Sequence, residues 1–301
     1  MRYRPLGNTG MAISSIALVL GDSAGRLRAS DWVSLIYAAL ENGVNAFHIR
    51  GTHAAMIEGA AQALQAVDRR LIFVAARLGW SVTPSGAVVR DFAPDALEHS
   101  VQSAITRMGL EYLDAGVLDD PLSEELSPQA LESMKRMREG GQIRLLGVAG
   151  QDDATDAYIS TGQFDLLATS FSIASGWKER LRLKAAVERD MAVIGYGYHP
   201  ESVAPRGGGP KQVWGAHAAP LAGAGTYAFL DQTPHWSAEE ICLAYALTEP
   251  SLCTIEIEAD RIERLEALAA APDRDLPPGV PAQIEMARFM RQPEPQRAKR
   301  A

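Results

Sequence analysis

Two histidines and an arginine lie close together in the segment NGVNAFHIRGTH, residues 42–53. His48 and Arg50 come at the end of a short apolar run, and His53 follows in a loop. An imidazole changes its protonation near neutral pH, so it can act as a general acid or base or bind a metal. An arginine binds carboxylates or phosphates in a fixed geometry. The segment therefore predicts a buried strand whose C-terminal end carries a polar site.

The rest of the chain alternates strand-like apolar runs with amphipathic helical patterns. Eight runs are rich in strand-forming residues, and helical patterns follow them: SIALVL, VNAFHI, LIFVAA, LDAGVL, IRLLGVA, FDLLATSF, AVIGYGY and LCTIEI. Eight such units predict an α/β protein with the (β/α)8 TIM barrel fold. The opening RYRPLGNTGMAI has a central turn and predicts an N-terminal β-hairpin that caps the bottom of the barrel. No Gly-x-Gly-x-x-Gly follows the first strand, which disfavours a Rossmann fold.

Local signals predict where several helices begin and end. Ser30-Asp31 and Ser127-Pro128 are typical of helix starts. Glycines at 43, 109 and 140–141 are typical of helix ends.

Composition narrows the class of protein. The 301 residues are 47% hydrophobic and 22% charged, which suits one barrel over residues 1–290 followed by a flexible tail over 291–301. The net charge of −8 argues against non-specific nucleic-acid binding. No apolar run long enough for a membrane span and no secretory signal pattern is visible, so we expect a cytoplasmic location. Cys242 and Cys253 lie in apolar segments and are predicted core residues.

The barrel prediction brings polar strand ends together, because strand C-termini meet at one mouth. The residues expected there are His48, Arg77, Asp119, Ala149, Ser170 and Tyr196. Arg77 is too basic to exchange protons, and its most plausible partner is Asp119. A metal bound by His48, His53 and Asp119 is one alternative. The other is a polar pocket without a metal, which we favour because the His-x4-His spacing spans a strand end rather than a helix face.

The segments YRPLGNTGMAISSIAL, ENGVNAFHIRGTH, SVQSAITRMGLEYLDAGVLDDP and GQIRLLGVAG resemble, in order, motifs of the aldo-keto reductases. The resemblance covers nearly the whole chain. Members of that family reduce carbonyls with NADPH or NADH, using an Asp, a Tyr, a Lys and a His. On this match the four positions carry His48, His53, Arg77 and Asp119, respectively. The resemblance therefore implies a degenerate tetrad and no catalytic residue.

The same resemblance implies a partly retained cofactor site. Tyr196 matches the aromatic residue that stacks on the nicotinamide, and Arg264 matches a residue at the adenosine end. Glu258 stands where NADPH-using relatives often place a lysine. A carboxylate there repels a 2′-phosphate, so NADH (NAD) is expected and NADPH is disfavoured. The loop HPESVAPRGGGPKQVWG, with Arg206, either contacts a pyrophosphate or is a flexible insertion.

Other family contacts are missing. The positions from which family members contact the nicotinamide carboxamide carry Ala149-Gly150 and Ala168 in this chain. The asparagine with which they contact the adenosine is replaced by Leu268.

A reductase fold that keeps its dinucleotide but loses its proton relay indicates a sensor. The chain resembles the oxidoreductase-like bacterial cell-division regulators of the KidO type. This resemblance implies a catalytically inactive, NADH-responsive regulator that is recruited to the division site and whose partners are the division protein FtsZ and a sensor histidine kinase. The alternative is a diverged NADH-dependent oxidoreductase with His53 as the acid. The connection over residues 214–236 is either a partner loop or packing over the mouth.

Overall fold

Eight parallel strands close into a barrel, as the sequence predicts. The computed structural model describes residues 1–21, 27–82, 87–199, 230 and 233–289. Arg206, most of the connection 214–236 and the tail 291–301 lie outside the described residues. The barrel strands are β3 (Ile16–Leu20), β4 (Ala46–Ile49), β5 (Phe73–Leu78), β8 (Leu113–Asp119), β9 (Ile143–Ala149), β10 (Leu166–Ser170), β11 (Ala192–Tyr196) and β12 (Thr254–Ile257). Strand β12 pairs with β3 and closes the sheet.

Helices surround the barrel, and most of them follow a strand, whereas the last follows another helix. In the described residues they are α1 (Ala29–Glu41), α2 (Ala54–Gln65), α3 (Pro94–Met108), α4 (Pro128–Glu139), α5 (Asp153–Thr161), α6 (Trp177–Val187), α7 (Ala238–Ala246), α8 (Ile262–Ala270) and α9 (Val280–Phe289). Short 3-10 turns occur at Arg69–Leu71 and Ala271–Asp273.

The predicted caps agree with the structure at most sites. The Ser127 hydroxyl accepts a hydrogen bond from the amide of Ala130 at the start of α4. Gly109 ends α3 with φ of 61°, a conformation that favours glycine. The start of α1 was predicted at Ser30-Asp31 but lies earlier, at Arg28, because the Asp31 carboxylate accepts from the Arg28 amide.

The strands separate two apolar layers, since successive side chains point to opposite faces. Small side chains such as Ala46, Ala75 and Ala115 fill the interior, and larger ones pack between strands and helices. The predicted N-terminal hairpin consists of β1 (Tyr3–Pro5) and β2 (Ala12–Ser14). Its Leu6 and Ile13 are fully buried in the interior cluster, so the hairpin closes the barrel at the N-terminal ends of the strands.

A second hairpin was not predicted. It consists of β6 (Trp80–Val82) and β7 (Val88–Arg90), inserted between β5 and α3. The strands have only three residues each, and Val88 and Val89 are exposed, so no hydrophobic alternation marks them. The hairpin places Trp80 beside the barrel mouth.

Two further observations concern the described residues. Cys242 and Cys253 are both buried and unbonded, as expected for core positions. None of the described helices has the length and hydropathy that crossing a membrane requires.

Candidate functional site at the barrel mouth

The mouth is built by side chains that point into the barrel near the C-terminal ends of the strands. In β5, Phe73 and Ala75 belong to the interior cluster, so Arg77 also points inward. The same alternation in β4 directs His48 inward after Ala46. In β12 it directs Glu256 inward, between the outward Ile255 and Ile257.

Arg77 is the centre of a buried ion-pair cluster. Its Nη1 lies 3.0 Å from Asp119 Oδ1, and its Nη2 lies 3.0 Å from Glu256 Oε1. The side chains of Arg77 and Glu256 are only 6% and 2% exposed. The ion pair predicted between Arg77 and Asp119 is therefore present, and the sequence interpretation missed the second carboxylate.

Glu256 binds three basic side chains. Besides Arg77, its Oε1 lies 2.9 Å from His48 Nδ1, and its Oε2 accepts from Arg50 Nη1 at 3.3 Å. The second carboxylate oxygen of Asp119 also has a donor, because the indole Nε1 of Trp80 donates to Oδ2 at 2.9 Å. We refer to His48, Arg77, Asp119 and Glu256 as the mouth cluster.

Electrostatics keeps Arg77 and Glu256 of the mouth cluster ionised. Burial alone raises the pKa of Glu256, but Arg77 and His48 outweigh burial and hold that pKa well below its ordinary value. Burial lowers the pKa of Arg77, but Glu256 and Asp119 reverse this effect and the pKa is raised overall. Glu256 and Arg77 are thus fixed as a carboxylate and a guanidinium. Neither can exchange a proton near neutral pH.

Two tyrosines near the mouth also fail as acids. Burial raises the pKa of Tyr196, although Arg77 opposes the shift, and the Arg77 guanidinium carbon lies 5.3 Å from the ring centre. Burial raises the pKa of Tyr198 well above its ordinary value, and its hydroxyl donates to Glu239. A phenol that protonates a substrate oxygen needs a lowered pKa. The described lysines lie on the outer helices α4 and α6, so none of them supplies that shift.

His53 lies apart from the mouth cluster. It is the N-cap residue of α2, its side chain is exposed, and that side chain makes no hydrogen bond to the described residues. His48 instead is buried, and its Nε2 has no hydrogen-bond partner in the described part of the chain. The two histidines of the metal alternative therefore differ in burial, because the loop after β4 leads His53 to the exposed start of α2.

The metal alternative also lacks support. No group of three or more His, Cys, Asp or Glu residues in the described ranges is arranged to hold a metal ion. His48 and Asp119 are instead separated by Arg77, which binds the carboxylate of Asp119.

A groove of about 260 Å3 runs from Tyr196 to α8. Three of the four predicted cofactor-binding residues line it, namely Tyr196, Glu258 and Arg264, and the fourth, Arg206, lies outside the described residues. Arg264 Nη2 donates to Glu239 Oε1 at 2.8 Å. Glu258 is half-buried and forms no ion pair with the described residues. The groove therefore presents an uncompensated carboxylate to any ligand.

The sequence predicts Ser170 at the strand ends but not its hydrogen bond to Gln151. Ser170, aligned with Tyr196 in the β10–β11 pairing, donates to Gln151 Oε1 at 2.6 Å. The Gln151 side chain is exposed and is not among the residues that line the groove. The feature of the groove that fits a nicotinamide is the half-buried Tyr196 ring.

The protein is a parallel (β/α)8 barrel with a hairpin at the N-terminal ends of its strands and a charged cluster at their C-terminal ends. These features place it in the class of α/β-barrel proteins whose site lies at the C-terminal mouth. The family model described as the aldo/keto reductase family matches residues 17–288, and the chain belongs to that family.

Solved structures of this family share the fold. An aldo-keto reductase from Bacillus halodurans in its holo form has a TM-score of 0.80 at 17% identity, covering 95% of this chain and 96% of that one. Its apo form gives a TM-score of 0.72 at 16% identity over the same fractions. The glycerol dehydrogenase of Gluconobacter oxydans gives 0.76 at 15% identity, covering 99% of this chain and 98% of that one. At such identities the similarity shows the fold alone.

Proposed function

We propose that this protein is a catalytically inactive aldo-keto reductase homologue that binds NADH or NAD and acts as a regulator. The observation that carries the proposal is the mouth cluster. A guanidinium with two carboxylate partners occupies the position where the family resemblance places a lysine that tunes a phenol. Ion pairs between Arg77, Asp119 and Glu256 thus stand where active family members carry the groups that transfer a proton.

The cluster explains why hydride transfer to a carbonyl is not supported. Reduction needs a proton donor within hydrogen-bond reach of the substrate oxygen. Arg77 and Glu256 are locked in their charged forms, and Tyr196 has a raised pKa. His53, the acid of the alternative hypothesis, is the exposed N-cap residue of α2. It does not line the groove, and it is not part of the mouth cluster. His53 is therefore not positioned as the acid that the oxidoreductase alternative requires.

The nucleotide preference rests on charge. Aldo-keto reductases generally bind nicotinamide cofactors, which supply hydride chemistry when bound. Here Tyr196 offers a ring for the nicotinamide, and Glu258 offers no positive charge for a 2′-phosphate. Arg264 is already bound to Glu239 and has another carboxylate, that of Asp260, 3.7 Å from its Nη1. These residues favour NADH and NAD over NADPH.

The regulated process is proposed from the family resemblance. The whole-chain similarity to the KidO-type regulators supports a role in bacterial cell division and cell-cycle signalling in the cytoplasm, with FtsZ and a sensor histidine kinase as partners and recruitment to the division site. The loss of all four family catalytic identities, at His48, His53, Arg77 and Asp119, supports the same assignment. No described surface is attributed to either partner.

Two measurements on the full chain test this proposal. Calorimetric titration with NADH and NADPH should show binding of NADH and weaker binding of NADPH. Hydride transfer from NADH, followed by its absorbance across a panel of aldehydes and ketones, should show no turnover. Turnover that disappears in His53→Phe would establish the oxidoreductase alternative. Failure to bind either nucleotide would reject the sensor.

Partner binding needs its own assay. Purified FtsZ and the cytoplasmic part of a sensor histidine kinase are titrated against the protein with and without saturating NADH. A regulator should show an affinity for at least one of them that changes with NADH, because a nucleotide that binds both states equally shifts nothing. Identical affinities in both conditions would contradict NADH-responsive regulation.

A further inference from the structure

A second cleft lies outside the barrel wall, between α2, α3 and the outward side of β4 and β5. Its volume is about 550 Å3, within the range of small-molecule sites. Ile49, Ala76 and Leu78 face it from the layer between strands and helices, whereas Arg77 points to the opposite side of the same strand. The cleft is therefore off the barrel axis and separate from the groove that leads from Tyr196 to Arg264.

The inner part of the cleft is apolar. Its walls include five side chains that are buried from bulk solvent: Ile49, Ile57, Ala76, Leu78 and Met108. These side chains offer a continuous apolar surface at the base of a cleft that is open to solvent. An apolar group placed against it gains dispersion contacts with all of them. An apolar ligand of matching size would make these contacts.

The outer wall is polar and is supplied by one face of α3. Ser100, Ser103 and Arg107 succeed one another at helical spacing, so they line the same side. Ser100 donates to the carbonyl of Ala96 within its own helix. Neither Ser103 nor Arg107 has a hydrogen bond or ion pair with the described residues. A free guanidinium next to a free hydroxyl offers two donors and no acceptor charge.

The charges at the end of the cleft near the barrel mouth are already paired. Arg50 and Arg77 line that end together with Asp119, and Glu256 and Asp119 balance the two guanidiniums. The Arg107 guanidinium has no ion pair with the described residues, and it is the charge in the cleft that favours an anion.

We propose that this cleft binds a small amphipathic carboxylate. The apolar body lies against Ile57, Leu78 and Met108, and the carboxylate binds the Arg107 guanidinium with Ser103 as a second donor. Charge-assisted bonds from an arginine fork are among the strongest polar contacts in proteins. The site uses residues that the nucleotide groove does not, apart from Arg50 at the boundary between the two.

Decanoate is a suitable probe, because it combines an apolar chain with one carboxylate. Calorimetric titration of the full chain should show saturable binding of decanoate and about tenfold weaker binding of decanol, which lacks the charge. Arg107→Gln should weaken decanoate binding about tenfold. Arg189→Gln is the matched control, because Arg189 is also an exposed arginine at a helix end and does not line the cleft. Its affinity for decanoate should equal that of the wild type.

A cleft-filling variant tests the location of the apolar body. Ala104→Phe places a ring in the cleft and should abolish decanoate binding, with thermal unfolding measured to show that the variant is folded. Arg107→Gln changes an exposed residue and keeps the test valid if Ala104→Phe does not fold. Absence of decanoate binding to the wild type, or unchanged affinity in either variant, would overturn the proposal. Loss of NADH binding alone would leave it standing.

Discussion

Arg77 and Glu256 form a buried ion pair between strands that are not neighbours in the sheet. Arg77 belongs to β5 and Glu256 to β12, with β3 and β4 between them, and 179 positions separate the two residues in the chain. The pair spans the barrel interior just below the mouth. It therefore fixes the distance between opposite parts of the wall as well as the charge of the site.

Removal of the Glu256 charge should destabilise the fold. Glu256→Gln leaves Arg77 and His48 buried beside a neutral amide, and breaking one side of a buried pair costs roughly 3–5 kcal/mol. The free energy of unfolding, measured by urea titration, should fall by about that amount. Glu258→Gln is the control, since Glu258 is half-buried and has no ion pair with the described residues. It should stay within about 0.5 kcal/mol of the wild type, and equal losses in the two variants would contradict the role given to Glu256.

A double-mutant cycle should reveal direct coupling between the two partners. Arg77→Gln and Glu256→Gln each remove one buried partner from the charge that remains, whereas the double variant removes both members of the pair. The double variant should be less destabilised than the sum of the single variants, by about 0.5–3 kcal/mol. The free energies come from the same urea titrations. Strict additivity would show that the contact contributes nothing of its own.

The contribution of Glu256 should depend on pH in a defined direction. Its pKa is lowered in the folded protein from an ordinary value of 4.5, so the unfolded chain binds a proton more readily. The stabilisation is fully present above pH 4.5 and is lost as the pH falls toward the folded-state pKa. The difference in unfolding free energy between wild type and Glu256→Gln should thus be constant near neutrality and shrink in acid. A difference that grew below pH 4.5 would contradict the lowered pKa.

Nucleotide choice should follow the charge at residue 258. Glu258→Lys replaces the uncompensated carboxylate in the groove with a cation, which should raise the affinity for NADPH about tenfold or more with little change for NADH. Calorimetric titration measures both affinities. Glu266→Lys makes the same charge change at an exposed position on α8 and serves as the control. An equal gain in the two variants would mean that net charge, not position, sets the preference.

The contact between α1 and α2 should tolerate no side chain at Gly59. A Cβ there would lie 2.4 Å from the Ala29 carbonyl oxygen and 2.6 Å from Trp32 Cβ. Gly59→Ala should destabilise the protein by about 1–3 kcal/mol, as overpacking does. Gly140→Ala is the comparison, because its φ is negative and the nearest atom to its Cβ is 3.3 Å away. The melting temperatures should separate clearly, with Gly59→Ala the lower.

Much of the fold could be predicted from the sequence. The β-rich runs and their alternation with helical patterns follow from local hydrophobicity, and Ser127 and Gly109 mark helix ends by local chemistry. The β6–β7 hairpin could not be found in this way, because its short strands carry no apolar alternation. The start of α1 at Arg28 depends on a specific contact with Asp31 and has no simple pattern.

The site was predicted less completely. The strand ends identify Arg77 and Asp119 as mouth residues, and opposite charge predicts their pairing. Glu256 was missed, although a single carboxylate between Ile255 and Ile257 in an apolar strand is a signal that a buried cation lies opposite. Sequence spacing does not show which way a loop turns before a helix, so the exposure of the His53 side chain at the start of α2 could not be read from it.

The ion pairs of Glu256 also constrain when the barrel can close during synthesis of the chain. During synthesis, β4, β5 and β8 emerge long before β12, so for most of that time Arg77 has Asp119 but not Glu256, and His48 Nδ1 lacks its partner. A nascent barrel that closed early would bury these polar groups with some of their hydrogen bonds unmade, which is unfavourable. Arrival of the last strand removes this obstacle. A single glutamate near the C-terminal end thus makes closure of the mouth conditional on nearly the whole barrel having been made.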